Sequence, residues 1–137
     1  MLAIVAFGFL FLMAQCGWAL LEGHKLADAA TRRFHQQLSA GQYETICEEA
    51  DEGFGSGENH DNLVKLLNAV HRKLGDAGEH KFVRMNVNAT TSGTFTSVVY
   101  ETKFTKGDAT ETFTWIKKGG GLKLHSYSIN SMALVVD

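Results

Sequence analysis

The chain predicts an α+β domain in which three N-terminal helices pack on a four-stranded, curved, antiparallel meander. Two observations predict it. Apolar residues recur near every fourth position up to Gly75 and at every second position after Gly78. In the second half, the turn-forming stretches "TTSG", "TKGD" and "KKGGG" separate runs of strand length, and connections that short join strands as hairpins.

The first twenty-one residues stand apart from that domain. Leu2 to Leu21 contains one polar side chain, Gln15, and no charge. As a helix, roughly 20 residues at about 1.5 Å each would cross a hydrocarbon core of about 30 Å. A core helix of a small domain would show a polar face, and this segment shows none. Gly17-Trp18-Ala19 supplies the small-x-small pattern of a signal-peptide cut, which predicts cleavage after Ala19 and a mature chain beginning at Leu20. Two other fates fit less closely. Met13-Ala14-Gln15 before Cys16 imperfectly matches a lipidation box, and residues 2–21 are long enough to stay as an anchor. No Lys or Arg precedes the apolar run, as a secretory segment would usually have. The expected organisation is therefore 1–19 as signal or anchoring segment and 20–137 as one domain. The expected location is exported, periplasmic or secreted, with membrane contact only through the N-terminal segment.

"LADAATRRFHQQLSAGQY" reads as the first helix, with Leu26, Ala30, Phe34 and Leu38 on one stripe and Gly41 as its stop. "YETICEEADEGF" reads as a short second helix carrying Tyr43, Ile46, Cys47 and Ala50. "GFGSGENHD" follows as a loop. "DNLVKLLNAVHRKLG" is the third helix. Its apolar face is Leu63, Leu66, Leu67, Val70 and Leu74, with Asp61 as cap and Gly75 just past its end.

Val83, Met85 and Val87 alternate with Arg84, Asn86 and Asn88 in the first strand. A turn at Ser92-Gly93 would pair Val87 with Val98 and Met85 with Tyr100. One at Lys106-Gly107 would pair Tyr100 with Phe113 and Val98 with Trp115. The large apolar side chains then share one face and the threonines the other. In the last strand, "LKLHSYSI", Leu122 and Leu124 have opposite parity to Tyr127 and Ile129. Either a bulge near His125-Ser126 or cover on both faces would account for that.

The stretches "FHQQLSAGQYETICEEA" and "FTSVVYETKFTKGDATETFTW" and the ending "YSINS" resemble the nuclear transport factor 2-like (cystatin-like) superfamily of cone-shaped domains. More narrowly, they are similar to a family of short bacterial exported proteins of unknown function. The resemblance covers about residues 26–133. It implies a cone with room for a pocket between helices and concave sheet, and it supplies no catalytic residues.

Composition narrows function mainly by exclusion. With 137 residues and a net charge of −2, the chain has one core and no basic stripe to neutralise phosphates, so no nucleic-acid partner is expected. Gly53, Gly55 and Gly57 follow an acidic run that would repel pyrophosphate. The six histidines form no ligand pair at helix or strand spacing, so no metal and no cofactor are expected, and the histidines read as surface residues. Cys47, beside Glu48 and Glu49, reads as a buried structural thiol.

Glu111 shares a face with Tyr100, Phe113 and Trp115, and these four are the candidate pocket residues. A carboxylate on an apolar concave face could serve as a base, with Tyr100 polarising a bound carbonyl. The commoner arrangement puts such a carboxylate at the solvated rim, and the rim is the expectation for Glu111, with Glu111→Gln nearly neutral for stability. The sequence thus favours a non-enzymatic exported envelope domain that binds a protein partner or small apolar ligand. The alternatives are a cone-pocket enzyme using Glu111 and Tyr100, and a module tethered through Cys16 or residues 2–21.

Overall fold

The computed structural model describes residues 22–135. Cys16 and the other expectations for residues 1–21 lie outside the described residues. Helix α1 occupies residues 22–39 of the described chain. It is followed by α2 (Tyr43–Glu49), α3 (Glu52–Gly55) and α4 (Glu58–Leu74). Strands β1 (Ala77–Thr90), β2 (Gly93–Phe104), β3 (Gly107–Lys118) and β4 (Gly121–Asn130) come next, then α5 (Met132–Val135). The four strands pair in the order β1-β2-β3-β4, antiparallel throughout, as the meander required. Helices pack on one face of the curved sheet. The fold is therefore α+β, with two four-residue helices, α3 and α5, beyond the three expected.

The buried stripe of α1 is Ala27, Thr31, Phe34, His35 and Leu38, rotated from the stripe the sequence suggests. Leu26 is exposed at its margin, and three polar residues, Thr31, His35 and Gln37, are buried instead. Gly41, at φ +74°, ends the helix with Gly41 N–H on the Leu38 carbonyl and Gln42 N–H on the Gln37 carbonyl. That pair of bonds is a Schellman ending. Helix α4 buries Leu63, Leu67, Val70 and Leu74, while Leu66 points outward. It begins at Glu58, capped by Gly57 rather than Asp61, which falls within its first turn. Gly75 closes it at φ +81°, where an added Cβ would sit 1.9 Å from Thr105 Oγ1.

The large apolar residues of β2 and β3 share one face as expected, but Thr96 and Thr102 are buried on that face too rather than on the other, and the registers differ by two residues. Met85 pairs with Val98 and Val87 with Thr96, and Tyr100 pairs with Glu111 and Val98 with Phe113. Each turn falls one residue earlier, with Thr90 opposite Gly93 and Phe104 opposite Gly107. Thr90 closes the first turn, its Oγ1 accepting from Ser92 N–H at 3.2 Å and donating to the Gly93 carbonyl at 3.0 Å. A threonine side chain thus does what the Ser-Gly dipeptide was expected to do. Val83 falls at a slip in the β1–β2 pairing and is half exposed. In β4 the expected bulge is present. Thr114 pairs with Ser126 and Trp115 with Leu124, which leaves His125 as the extra residue and brings Leu122, Leu124, Tyr127 and Ile129 to the core.

The core centres on Phe113. Phe34 meets it edge-on at 5.0 Å, Tyr127 lies at 5.1 Å, and Trp115 stacks at 5.7 Å with 5° between planes.

Candidate functional site

Glu111 is wholly buried, at 0% exposure, which overturns the rim expectation. Two facts put it there. It lies on the concave face opposite Tyr100, and α1 covers that face with His35. The carboxylate stays in the core because three side chains solvate it. His35 Nε2 lies 2.7 Å from Oε1, Thr102 Oγ1 donates to Oε1 at 2.6 Å, and the Tyr127 hydroxyl donates to Oε2 at 2.6 Å. Toward the carboxylate, His35 acts as a donor from Nε2. Its Nδ1 is buried with no hydrogen-bond partner among the described residues. Burial, then the Glu111 carboxylate, pushes the Tyr127 phenol well above its ordinary range, so Tyr127 keeps its proton and acts as a donor.

A second imidazole–carboxylate pair lies beside the first. His80 Nε2 is 2.8 Å from Asp28 Oδ1, and the His80 ring lies 5.3 Å from that of His35 and 4.9 Å from that of Tyr100. Burial alone would raise the Asp28 carboxyl, but hydrogen bonds from His80 and Arg32 outweigh it, and the net shift is downward. The Tyr100 hydroxyl is buried near Thr31 with no partner at bonding geometry among the described residues, and Thr31 Oγ1 donates to the Ala27 carbonyl at 2.8 Å. Burial raises the Tyr100 phenol, and Thr31 offsets only part of that.

Separate from this network, a cavity of about 440 Å³ opens between α1, α2 and the β3–β4 hairpin. Buried Phe34, Ile46, Ala50, Trp115 and Leu124 form its floor. Its mouth carries exposed Arg33, Glu48, Glu49, Lys118 and Lys123. Arg33 donates to both Glu49 oxygens from Nε and Nη2, and Gln37 Nε2 adds a bond to Glu49 at 2.8 Å. On the other side Lys118 Nζ meets Asp51 Oδ1 at 2.5 Å, with His125 Nδ1 at 3.3 Å from Oδ2. Arg33 first, then Gln37, hold Glu49 low against the opposing effect of burial, and Lys118 does most to hold Asp51 low. Within the floor, the Trp115 indole N–H is buried with no hydrogen-bond partner among the described residues.

The four residues singled out from sequence therefore divide. Tyr100, Glu111, Phe113 and Trp115 do share one buried face, but Glu111 bonds to His35, Thr102 and Tyr127, and Trp115 alone of the four lines the cavity. The histidines also depart from the surface reading. His35 is buried, and His60, His71, His80 and His125 each pair with a carboxylate. Among the described residues, no three His, Cys, Asp or Glu side chains gather as a metal-holding group. Cys47 is buried as expected, its thiol pushed up by burial and then by Glu44 and Glu48.

No protein-family model matches the chain, and no curated protein matches it. Solved structures do. A protein from Catenulispora acidiphila, solved at 2.5 Å, is 14% identical with a TM-score of 0.53, over 83% of this chain and 94% of that one. A Novosphingobium aromaticivorans protein described as "Putative Scytalone Dehydratase" is 13% identical over 82% of this chain and 85% of that one, with a TM-score of 0.48. The chain has the nuclear transport factor 2-like fold. At such identities the likeness is one of fold alone.

Proposed function

We propose that this chain is a small-molecule-binding domain whose site is the cavity between α1, α2 and the β3–β4 hairpin. The carrying observation is a concavity of about 440 Å³ with an apolar floor and a charged mouth. Ligand sites commonly take that form, at roughly 300–1,000 Å³. The ion pairs at the mouth fix its walls, because Arg33–Glu49 ties α1 to α2 and Lys118–Asp51 ties the hairpin to the α2–α3 junction. The occupant is a compact, largely apolar molecule.

The rival, an enzyme using Glu111 as base, has less support. Both carboxylate oxygens are already engaged, and the Tyr100 hydroxyl does not bond to them. A base must reach its substrate's proton.

The test uses the full chain with Trp18→Phe, so that Trp115 is the one remaining tryptophan. Titration with methylenecyclohexane should give a saturable change in Trp115 emission. Ala30→Phe, which places a ring in the cavity wall, should abolish it. A response that never saturates, or that survives Ala30→Phe, would count against the site.

Export belongs to the same proposal, through the uncharged segment ending at Gly17-Trp18-Ala19. Intact mass of the natively expressed protein should start at Leu20. An acylated Cys16 or a retained Met1 would sink the cleavage reading in favour of a tethered module.

A further inference from the structure

We infer that the cavity reads its ligand through the indole N–H of Trp115, and that the ligand therefore carries a neutral hydrogen-bond acceptor, such as a ketone or ester carbonyl, on its apolar body. This rests on the ligand-binding reading above and names the ligand's chemistry.

Trp115 is 5% exposed and lines the cavity, yet its Nε1–H has no partner among the described residues. Buried indole N–H groups usually find an acceptor, because leaving the donor unmade forfeits its hydration with nothing in return. Among the described residues, the other buried polar atoms without partners, on His24, His35 and Tyr100, belong to residues that do not line this cavity. Trp115 is thus, among the described residues, the cavity-lining residue with a buried polar atom that has no partner.

Charge argues for a neutral acceptor. The cations nearest the mouth are engaged, Arg33 with Glu49 and Lys118 with Asp51, while Lys123 is exposed at the rim. The floor holds no ionisable side chain. An anionic head drawn down to the indole would lose its water and meet no buried counter-charge, whereas a carbonyl loses far less. A cationic or donor-only head would leave the indole unmatched.

The wall beside Trp115 also has room to adjust. The N–H is shielded in this state, so an acceptor reaches it when the ring or the facing strand shifts. Directly across from Trp115 the β3–β4 ladder slips by one residue at His125, and the hairpin tip runs through Gly119 and Gly120 at φ +57° and +81°. Bulges interrupt pairing and re-aim side chains. The ladder at that edge of the cavity is therefore interrupted beside Trp115.

The experiment compares two ligands of one shape, cyclohexanone and methylenecyclohexane, which differ by O against CH2. In the full chain with Trp18→Phe, labelled with 15N at the indole, cyclohexanone should move the Trp115 N–H proton downfield and methylenecyclohexane should not. Replacing Trp115 by Phe in the same chain should lower the ketone-to-alkene affinity ratio about tenfold, a comparison in which the ligands' own solvation cancels. If both bind and neither the ratio nor the proton moves, the Trp115 inference is overturned while ligand binding stands. If neither binds, the ligand-binding reading falls first and takes this inference with it. If cyclohexanecarboxylate moves the indole proton and cyclohexanone does not, the neutral class is wrong. The indole signal needs no Trp115 variant, so it decides even if Trp115→Phe fails to fold.

Discussion

Glu111→Ala should lower the unfolding free energy by about 3–5 kcal/mol in urea melts, the range for removing one partner of a buried charged network. The loss comes from what stays behind. His35 Nε2–H, Thr102 Oγ1 and the Tyr127 hydroxyl would each lose the carboxylate acceptor, inside a buried core. A buried donor without a partner costs about 1–3 kcal/mol, so three set the scale even after partial relaxation. Glu111→Gln keeps the shape and one acceptor oxygen, and the two hydroxyls can turn to accept from its amide. Its cost should fall to about 1–3 kcal/mol, well above the near-neutral change expected of a rim residue. If Glu111→Ala cost less than about 0.5 kcal/mol, the range of an ordinary surface change, the network would not be what holds the cone together.

Leu67→Ala should cost about 2–5 kcal/mol, the usual penalty for emptying a packed leucine site. Leu67 is 0% exposed at the middle of α4, between Leu63 and Val70 on the buried stripe. Its loss removes contacts between helix and core. Lys65→Ala, on the exposed side of the same helix, should stay within about 0.5 kcal/mol. Equal losses for the two variants would mean the helix packs on a different face.

The faces of the strands were legible because the period of two is a property of the extended backbone. Phe113 and Trp115 therefore had to share a side, and Tyr100 joins them for any register that differs from the expected one by an even number of residues. The register was less legible for the same reason. A slip of two residues leaves every side chain on its own face, so the hydrophobic pattern cannot detect it. The choice fell to Thr90, whose hydroxyl closes a turn that a glycine signal placed one residue later. Parity also exposed the β4 bulge, and following it through would have set Tyr127 opposite Phe113 and beside Glu111. His35 was not recoverable. Its partner lies 76 residues away, and a polar residue on a helix reads as solvent-facing until the tertiary contact that pays for its burial is known.

The saturation of Glu111 also has a consequence for how this protein can diverge. His35, Thr102 and Tyr127 come from α1, β2 and β4, yet all three bond to the one carboxylate that Glu111 carries on β3. A lineage that replaces the glutamate with an apolar residue inherits three stranded donors, and one that loses a donor inherits an under-solvated anion. Either step alone is disfavoured by selection for folding, so the four sites should drift as a linked block. Sister sequences would then keep the set together or exchange it together, while neighbours such as Val98 and Leu124 vary singly within the limits of volume.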